Sequence, residues 1–137
     1  MYIKNKMINT KLSKKRCKKI RKKILDISMK VSALHIGGSF SSVEILDVIY
    51  NDLLKKKDKF ILSKGHAGIL QYVTLNEKKI ISDKLLNKYC SKGGLLGVHP
   101  DYGIPGIEAS TGSLGHGLAL ASGMALARKD STYYVLL

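Results

Sequence analysis

Apolar residues recur at helical spacing early in the chain. Ile20, Ile24, Ile27, Val31 and Leu34 follow one another at four, three, four and three residues, with lysines between them. This predicts an amphipathic helix beginning near Leu12, after a polar, frayed start. Gly37-Gly38 interrupts the pattern. Ser41-Ser42-Val43-Glu44 then has the form of a capping box, with Ser41 as the cap and Glu44 three residues on. It opens a second helix whose buried face is Val43, Leu46, Ile49 and Leu53. Residues 55–59 read as a charged turn, and Phe60-Ile61-Leu62 as a short buried strand. A third helix is expected from about Ser63-Lys64-Gly65-His66 to Leu75. Ser82 is expected to cap a short helix ending near Tyr89.

The texture then changes. Eight of the 13 glycines lie between Gly93 and Gly117, and residues 91–111 show no period. A loop of that length inside a domain is usually functional or disordered, and its Gly, Pro and His content favours function. Residues 114–128 read as a helix of small residues, and Tyr133-Tyr134-Val135-Leu136-Leu137 as a second strand. That strand meets the chain end without a turn or cap, the form expected of a cut chain. Helices alternating with two short apolar strands predict an α/β fold, a parallel sheet flanked by helices.

The length of 137 residues suits one domain. The hydrophobic share of 45% and charged share of 25% exclude a disordered chain, a collagen and a disulfide scaffold. No run reaches the roughly 20 apolar residues of a membrane span, so no membrane partner is expected. The net charge of +14 is concentrated at one end. Residues 1–30 hold 12 Lys and Arg but one acid, Asp26. We therefore divide the chain into a basic arm, residues 1–19, and one domain, residues 20–137. Lys outnumbers Arg by 21 to 3, whereas phosphate- and base-reading surfaces lean on the planar fork of Arg. A nucleic-acid partner is not expected. Cys17 and Cys90 are too few and too scattered for a metal or redox pair. The basic start lacks the apolar core of a secretory signal and the Arg and Ser of an organelle presequence, so the cytoplasm is the expected location.

All four histidines lie beside or near glycines: His35 before Ile36-Gly37-Gly38, His66 after Gly65, His99 in Gly97-Val98-His99-Pro100, and His116 between Gly115 and Gly117. Glycine permits close backbone approach to a ligand. Imidazole donates, accepts or carries charge near neutral pH. There is no His-x-x-x-His and no carboxylate pair, so no metal ligand is assigned. Thr111-Gly112-Ser113-Leu114-Gly115-His116-Gly117 opens a helix. It reads equally as an anion cradle at a helix start and as a turn that lets two helices pack. It is neither a Walker loop nor a good dinucleotide fingerprint.

Together these segments resemble the transketolase family. Phe60-Ile61-Leu62-Ser63-Lys64-Gly65-His66-Ala67 resembles the family's strand-to-helix motif. The stretch from Gly97-Val98-His99-Pro100 through Pro105-Gly106-Ile107-Glu108-Ala109-Ser110-Thr111-Gly112-Ser113-Leu114-Gly115-His116-Gly117 resembles its second signature. His35-Ile36-Gly37-Gly38-Ser39-Phe40-Ser41-Ser42-Val43-Glu44 resembles the first, most closely in the form of the N-terminal subunit of split, two-gene transketolases. The agreement runs in the family's order from about Ile20 to Leu137.

The resemblance implies an incomplete N-terminal portion of a thiamine diphosphate-binding fold. It implies transfer of a two-carbon ketol unit between sugar phosphates, with thiamine diphosphate and Mg2+. The cofactor would lie between two protein modules in a dimer or heterotetramer, completed by a C-terminal transketolase subunit or domain. His66 is implied to meet the diphosphate. Gly112, Ser113, Leu114 and His116 are implied to line the cofactor, and His35 and His99 to face substrate oxygens as donors or proton shuttles. Ser113 stands where relatives often have Pro, and His116 where they often have Gln. The implied metal ligands belong to a Gly-Asp-Gly motif and a later Asn, after the strand that Tyr133–Leu137 resembles. They are not in this chain, so it is expected to be inactive by itself. The alternatives are a 1-deoxyxylulose-5-phosphate synthase-like subunit, against which the Pro105–Gly115 stretch argues, and a non-catalytic interaction module or polyanion binder.

Overall fold

The structure is a computed structural model and describes residues 9–31 and 35–137. Helix α1 spans Thr10–Ser28, and the Asn9 side chain caps it by accepting from the Leu12 amide at 3.0 Å. Its inward face is the predicted stripe, with Ile20, Ile24 and Ile27 buried. Ser13 and Cys17 extend that buried face toward the start, whereas Leu12 is 47% exposed. The helix stops before the stripe does. Val31 packs on the core from the turn after Ser28, and Leu34 lies outside the described residues, as do residues 1–8.

Gly37-Gly38 does not break the chain but sits inside a short helix, α2 (Ile36–Phe40). The capping box does not form. Helix α3 (Val43–Val48) has Ser42 as its N-cap, without a side-chain cap bond. The Ser41 hydroxyl donates to the Gly38 carbonyl, and Glu44 instead accepts from Arg21 of α1 at 2.6 Å. The competing ion pair takes the carboxylate that the box needs. A π-helical turn, Ile49–Leu53, prolongs α3. Strand β1 (Lys59–Leu62), a 3-10 turn (Gly65–Ala67) and α4 (Gly68–Glu77) follow. Ser82 caps α5 by accepting from the Leu85 amide, but α5 ends at Leu86 rather than near Tyr89. Residues 87–115 hold no helix or strand. Helix α6 (His116–Ala127) starts two residues later than predicted, after Gly115 at φ +84°. Strand β2 is Tyr133–Leu136.

The two strands pair in parallel, Lys59 with Tyr133 through Leu62 with Leu136. Helix α4 is the centre of the core: Ile69, Leu70, Tyr72, Val73 and Leu75 are all buried. It packs on α1, α2 and α3. One buried carboxylate ties α1 to α3. Asp47 accepts from Ser13 Oγ at 2.6 Å and from Arg16 Nε and Nη2 at 2.6 and 2.8 Å. Burial raises its pKa, but these bonds outweigh that and hold it below the usual carboxylate range.

Candidate functional site

Both parallel strands point their carboxyl ends at the same place, the position where open α/β sheets take ligands. Beyond Leu62 the chain turns sharply through Ser63-Lys64-Gly65-His66. Ser63 fixes this corner from three sides. Its amide donates to the Leu136 carbonyl at 2.7 Å, its carbonyl accepts from the Gly115 amide at 3.3 Å, and its hydroxyl accepts from the Gly117 amide at 3.0 Å. Gly115 has no side chain to cap α6, so Ser63 supplies the acceptor from another element. Gly117 must be small: a Cβ there would stand 2.8 Å from Ile61 Cγ2 and 2.9 Å from Ser63 Cβ.

The glycine-rich loop closes over the same corner. Thr111 Oγ1 donates to the Leu62 carbonyl at 2.6 Å, and the Thr111 amide donates to the Pro100 carbonyl at 3.2 Å. Buried Tyr72 reaches from α4 to donate to the His99 carbonyl at 2.8 Å. A Cβ on Gly65 would stand 2.5 Å from Thr111 O and 2.9 Å from His99 Cδ2. One on Gly38 would stand 2.8 Å from His66 Nε2. Glycine is therefore the residue that lets α2, the turn at His66 and the 99–112 loop converge.

Three of the four histidines meet here. The rings of His35 and His66 are 5.5 Å apart, edge to face. His99 lies against Gly65, with Gly112 beside it at van der Waals distance. Burial, then electrostatic repulsion from the neighbouring His35, Lys64 and His99 side chains, lowers the His66 pKa below its ordinary 6.5. Both effects favour the neutral imidazole. Lys64 donates to Ser42 Oγ, and burial lowers its pKa too. Ser113, Leu114 and His116 follow in the chain, exposed in the turn into α6.

The anion-binding donors differ from those of a simple helix start. The amides of Gly115 and Gly117 are spent on Ser63, and those of His116 and Leu118 on Ser113 and Gly115 carbonyls. The amides of Gly112, Ser113 and Leu114 have no acceptor among the described residues. The open donors therefore belong to the turn just before the helix. Also among the described residues, no three His, Cys, Asp or Glu side chains gather to hold a metal. Sequence reasoning did not single out Ser63, Lys64, Thr111 or Tyr72 as site residues. The first three stand in the quoted motifs. Tyr72, an aromatic on an apolar helix, reads only as core.

The family described as "Transketolase, thiamine diphosphate binding domain" matches residues 12–134. The chain belongs to the transketolase family. An apulose-4-phosphate transketolase subunit of Phocaeicola vulgatus is 39% identical over 132 residues, covering 87% of this chain and 47% of that protein. Transketolase 2 of Escherichia coli is 35% identical over 122 residues, 80% of this chain and 18% of that one. Transketolase from Leishmania mexicana superposes with a TM-score of 0.82 at 26% identity, over 90% of this chain and 22% of that one. The chain thus spans about half the length of the Phocaeicola vulgatus relative. The transketolase match and the parallel strand pair agree with the α/β thiamine diphosphate-binding fold expected from the motifs, and they do not favour the synthase, interaction-module or polyanion alternatives.

Proposed function

We infer that this chain supplies the diphosphate-holding part of a transketolase of the split type, working with a C-terminal partner subunit on sugar phosphates. The observation that carries this reading is the junction of His66, flanked by His35 and His99, with the unspent amides of Gly112, Ser113 and Leu114. These donors suit an anion held at close range. Thiamine diphosphate supplies the nucleophilic carbon that carries a two-carbon unit between sugars.

The chain's own residues have narrower tasks. His66 donates to a diphosphate oxygen. The turn at Gly112, Ser113 and Leu114 offers amides, and Gly112 leaves room for close backbone approach. His35 and His99 present ring nitrogens to hydroxyl and carbonyl oxygens of the sugar and move or hold a proton there. His116 borders the cofactor at the start of α6. The described residues do not fit a Mg2+ site, and no metal step is assigned to them. Residues 20–137 form the cofactor-binding unit in this reading, and the cytoplasm is its place of action. The relatives' names, an apulose phosphate and a sulfofructose transketolase, point to a ketose or its phosphate as donor.

Histidine and amide NMR of the full chain tests this, with thiamine diphosphate and MgCl2 titrated to millimolar levels. The His66 ring and the Gly112 to Leu114 amides are expected to shift together. The His66→Ala variant is expected to lose the shifts at the turn. Shifts confined to the lysines of α1, or no shift at all, would overturn the reading.

A further inference from the structure

The cations of α1 fall into two sets. Those facing the rest of the molecule are engaged: Arg16 with Asp47, Lys19 with Glu77, Arg21 with Glu44, and Lys23 with Asn76 and Asp83. Those on the outward face are not. Lys11, Lys15, Lys18 and Lys22 recur at four, three and four residues, and Lys14 lies beside them. All five are exposed and have no carboxylate partner among the described residues. The helical rise makes this row about 16 Å long. The same line then continues three and four residues on with Leu25, 42% exposed, and Met29, 86% exposed. Asp26 is the only acid on the helix.

We propose that the outward face of α1 is a docking surface for anionic lipid headgroups. The charge complementarity is direct, since an unneutralised row of lysines on an amphipathic helix gains from a negative bilayer surface. Two features choose lipid over nucleic acid. Leu25 and Met29 stand on the charged face itself, where a phosphodiester backbone has no use for them but the acyl boundary does. The two arginines of the helix, whose forks would clasp backbone phosphates, are both committed to carboxylates. The contact is peripheral: no helix of the described residues is long and apolar enough to cross a membrane. It departs from the sequence expectation of no membrane partner, which rested on the lack of a span.

Co-sedimentation of the full chain with vesicles tests it, using phosphatidylcholine alone or mixed with phosphatidylserine, at low and at physiological salt. The chain is expected to sediment with the phosphatidylserine vesicles only, and less in salt. Each lysine near such a surface contributes roughly a fivefold factor, so K11Q/K15Q/K18Q/K22Q should weaken partitioning several hundred-fold. L25Q/M29Q, with charge unchanged, should weaken it about tenfold. Every substituted side chain is exposed, and an unchanged helical circular dichroism spectrum confirms the fold. Three results would each overturn the proposal: no phosphatidylserine-dependent sedimentation, sedimentation that survives the four-lysine variant, or duplex RNA binding with L25Q/M29Q indifferent to vesicles.

Discussion

Replacing Gly65 by alanine would strike the site without removing any functional group. The added Cβ would meet Thr111 O at 2.5 Å, Thr111 C at 2.8 Å and His99 Cδ2 at 2.9 Å. Ordinary contacts of this kind lie at 3.4–4 Å, so a gap of nearly an ångström must open. Neither side can swing aside cheaply. Thr111 is held by its bonds to Leu62 and Pro100, and Gly65 follows closely on a strand paired to β2. Overpacking of this kind costs about 1–3 kcal/mol. For a domain of this size each kcal/mol lowers Tm by about 3–5 °C, so a fall of roughly 3–15 °C is expected in a thermal melt followed by circular dichroism. Gly37→Ala is the control. Nothing lies within 4 Å of its Cβ position and it sits in α2, so it should leave Tm unchanged or raise it slightly. In the NMR titration, Gly65→Ala should also displace the His99 and Gly112 resonances before any ligand is added. A Gly65→Ala chain that melts with the unmodified protein would refute the close approach on which the site's geometry depends.

Asp47→Ala leaves the Ser13 hydroxyl and the part-exposed Arg16, which keeps Asp52 at 3.9 Å, beside a gap, and should destabilise the chain by about 1–3 kcal/mol, measured by urea unfolding. Because the folded pKa of Asp47 is lowered, its stabilisation is complete above the ordinary carboxylate range and drains as pH falls below about 4; the Asp47→Asn variant should have a flatter acid limb. His66 should titrate by NMR below 6.5, and its depressed pKa means that stability falls as pH drops from 6.5 toward the folded value; a midpoint at or above 6.5 would contradict the burial and the cationic surroundings described. Ser63→Ala strands the buried Gly117 amide and should cost about 1–3 kcal/mol, with hydrogen exchange accelerated at the start of α6.

The elements that declared themselves in the sequence are those ruled by local periodicity. The stripe Ile20, Ile24 and Ile27 fixed the buried face of α1, and Ser82 capped α5 as its type and position required. The misread places are those where a distant group won a local competition. Arg21 took Glu44 from Ser41, so the capping box dissolved in favour of an ion pair between α1 and α3. Gly37-Gly38 lies in a helix that intrinsic propensity disfavours, with Gly38 close against His66. The site divides the same way. Glycines beside histidines marked which segments could approach a ligand. They did not show that three such segments, centred near residues 35, 66 and 99, would meet. That meeting follows from the close approaches at Gly38 and Gly65 and from the bonds of Tyr72 to His99 and of Thr111 to Leu62. Ser63 fixes the neighbouring corner, bonded to β2, to the turn before α6 and to α6 itself. Its bonds consume the amides that a helix start would otherwise offer to an anion. The available donors are thereby moved back to Gly112, Ser113 and Leu114, within the span that His99 and Gly65 already border. The preference of helix starts for anions is thus realised here by the turn that precedes α6, because the Gly117 amide is buried against Ser63 and faces no ligand.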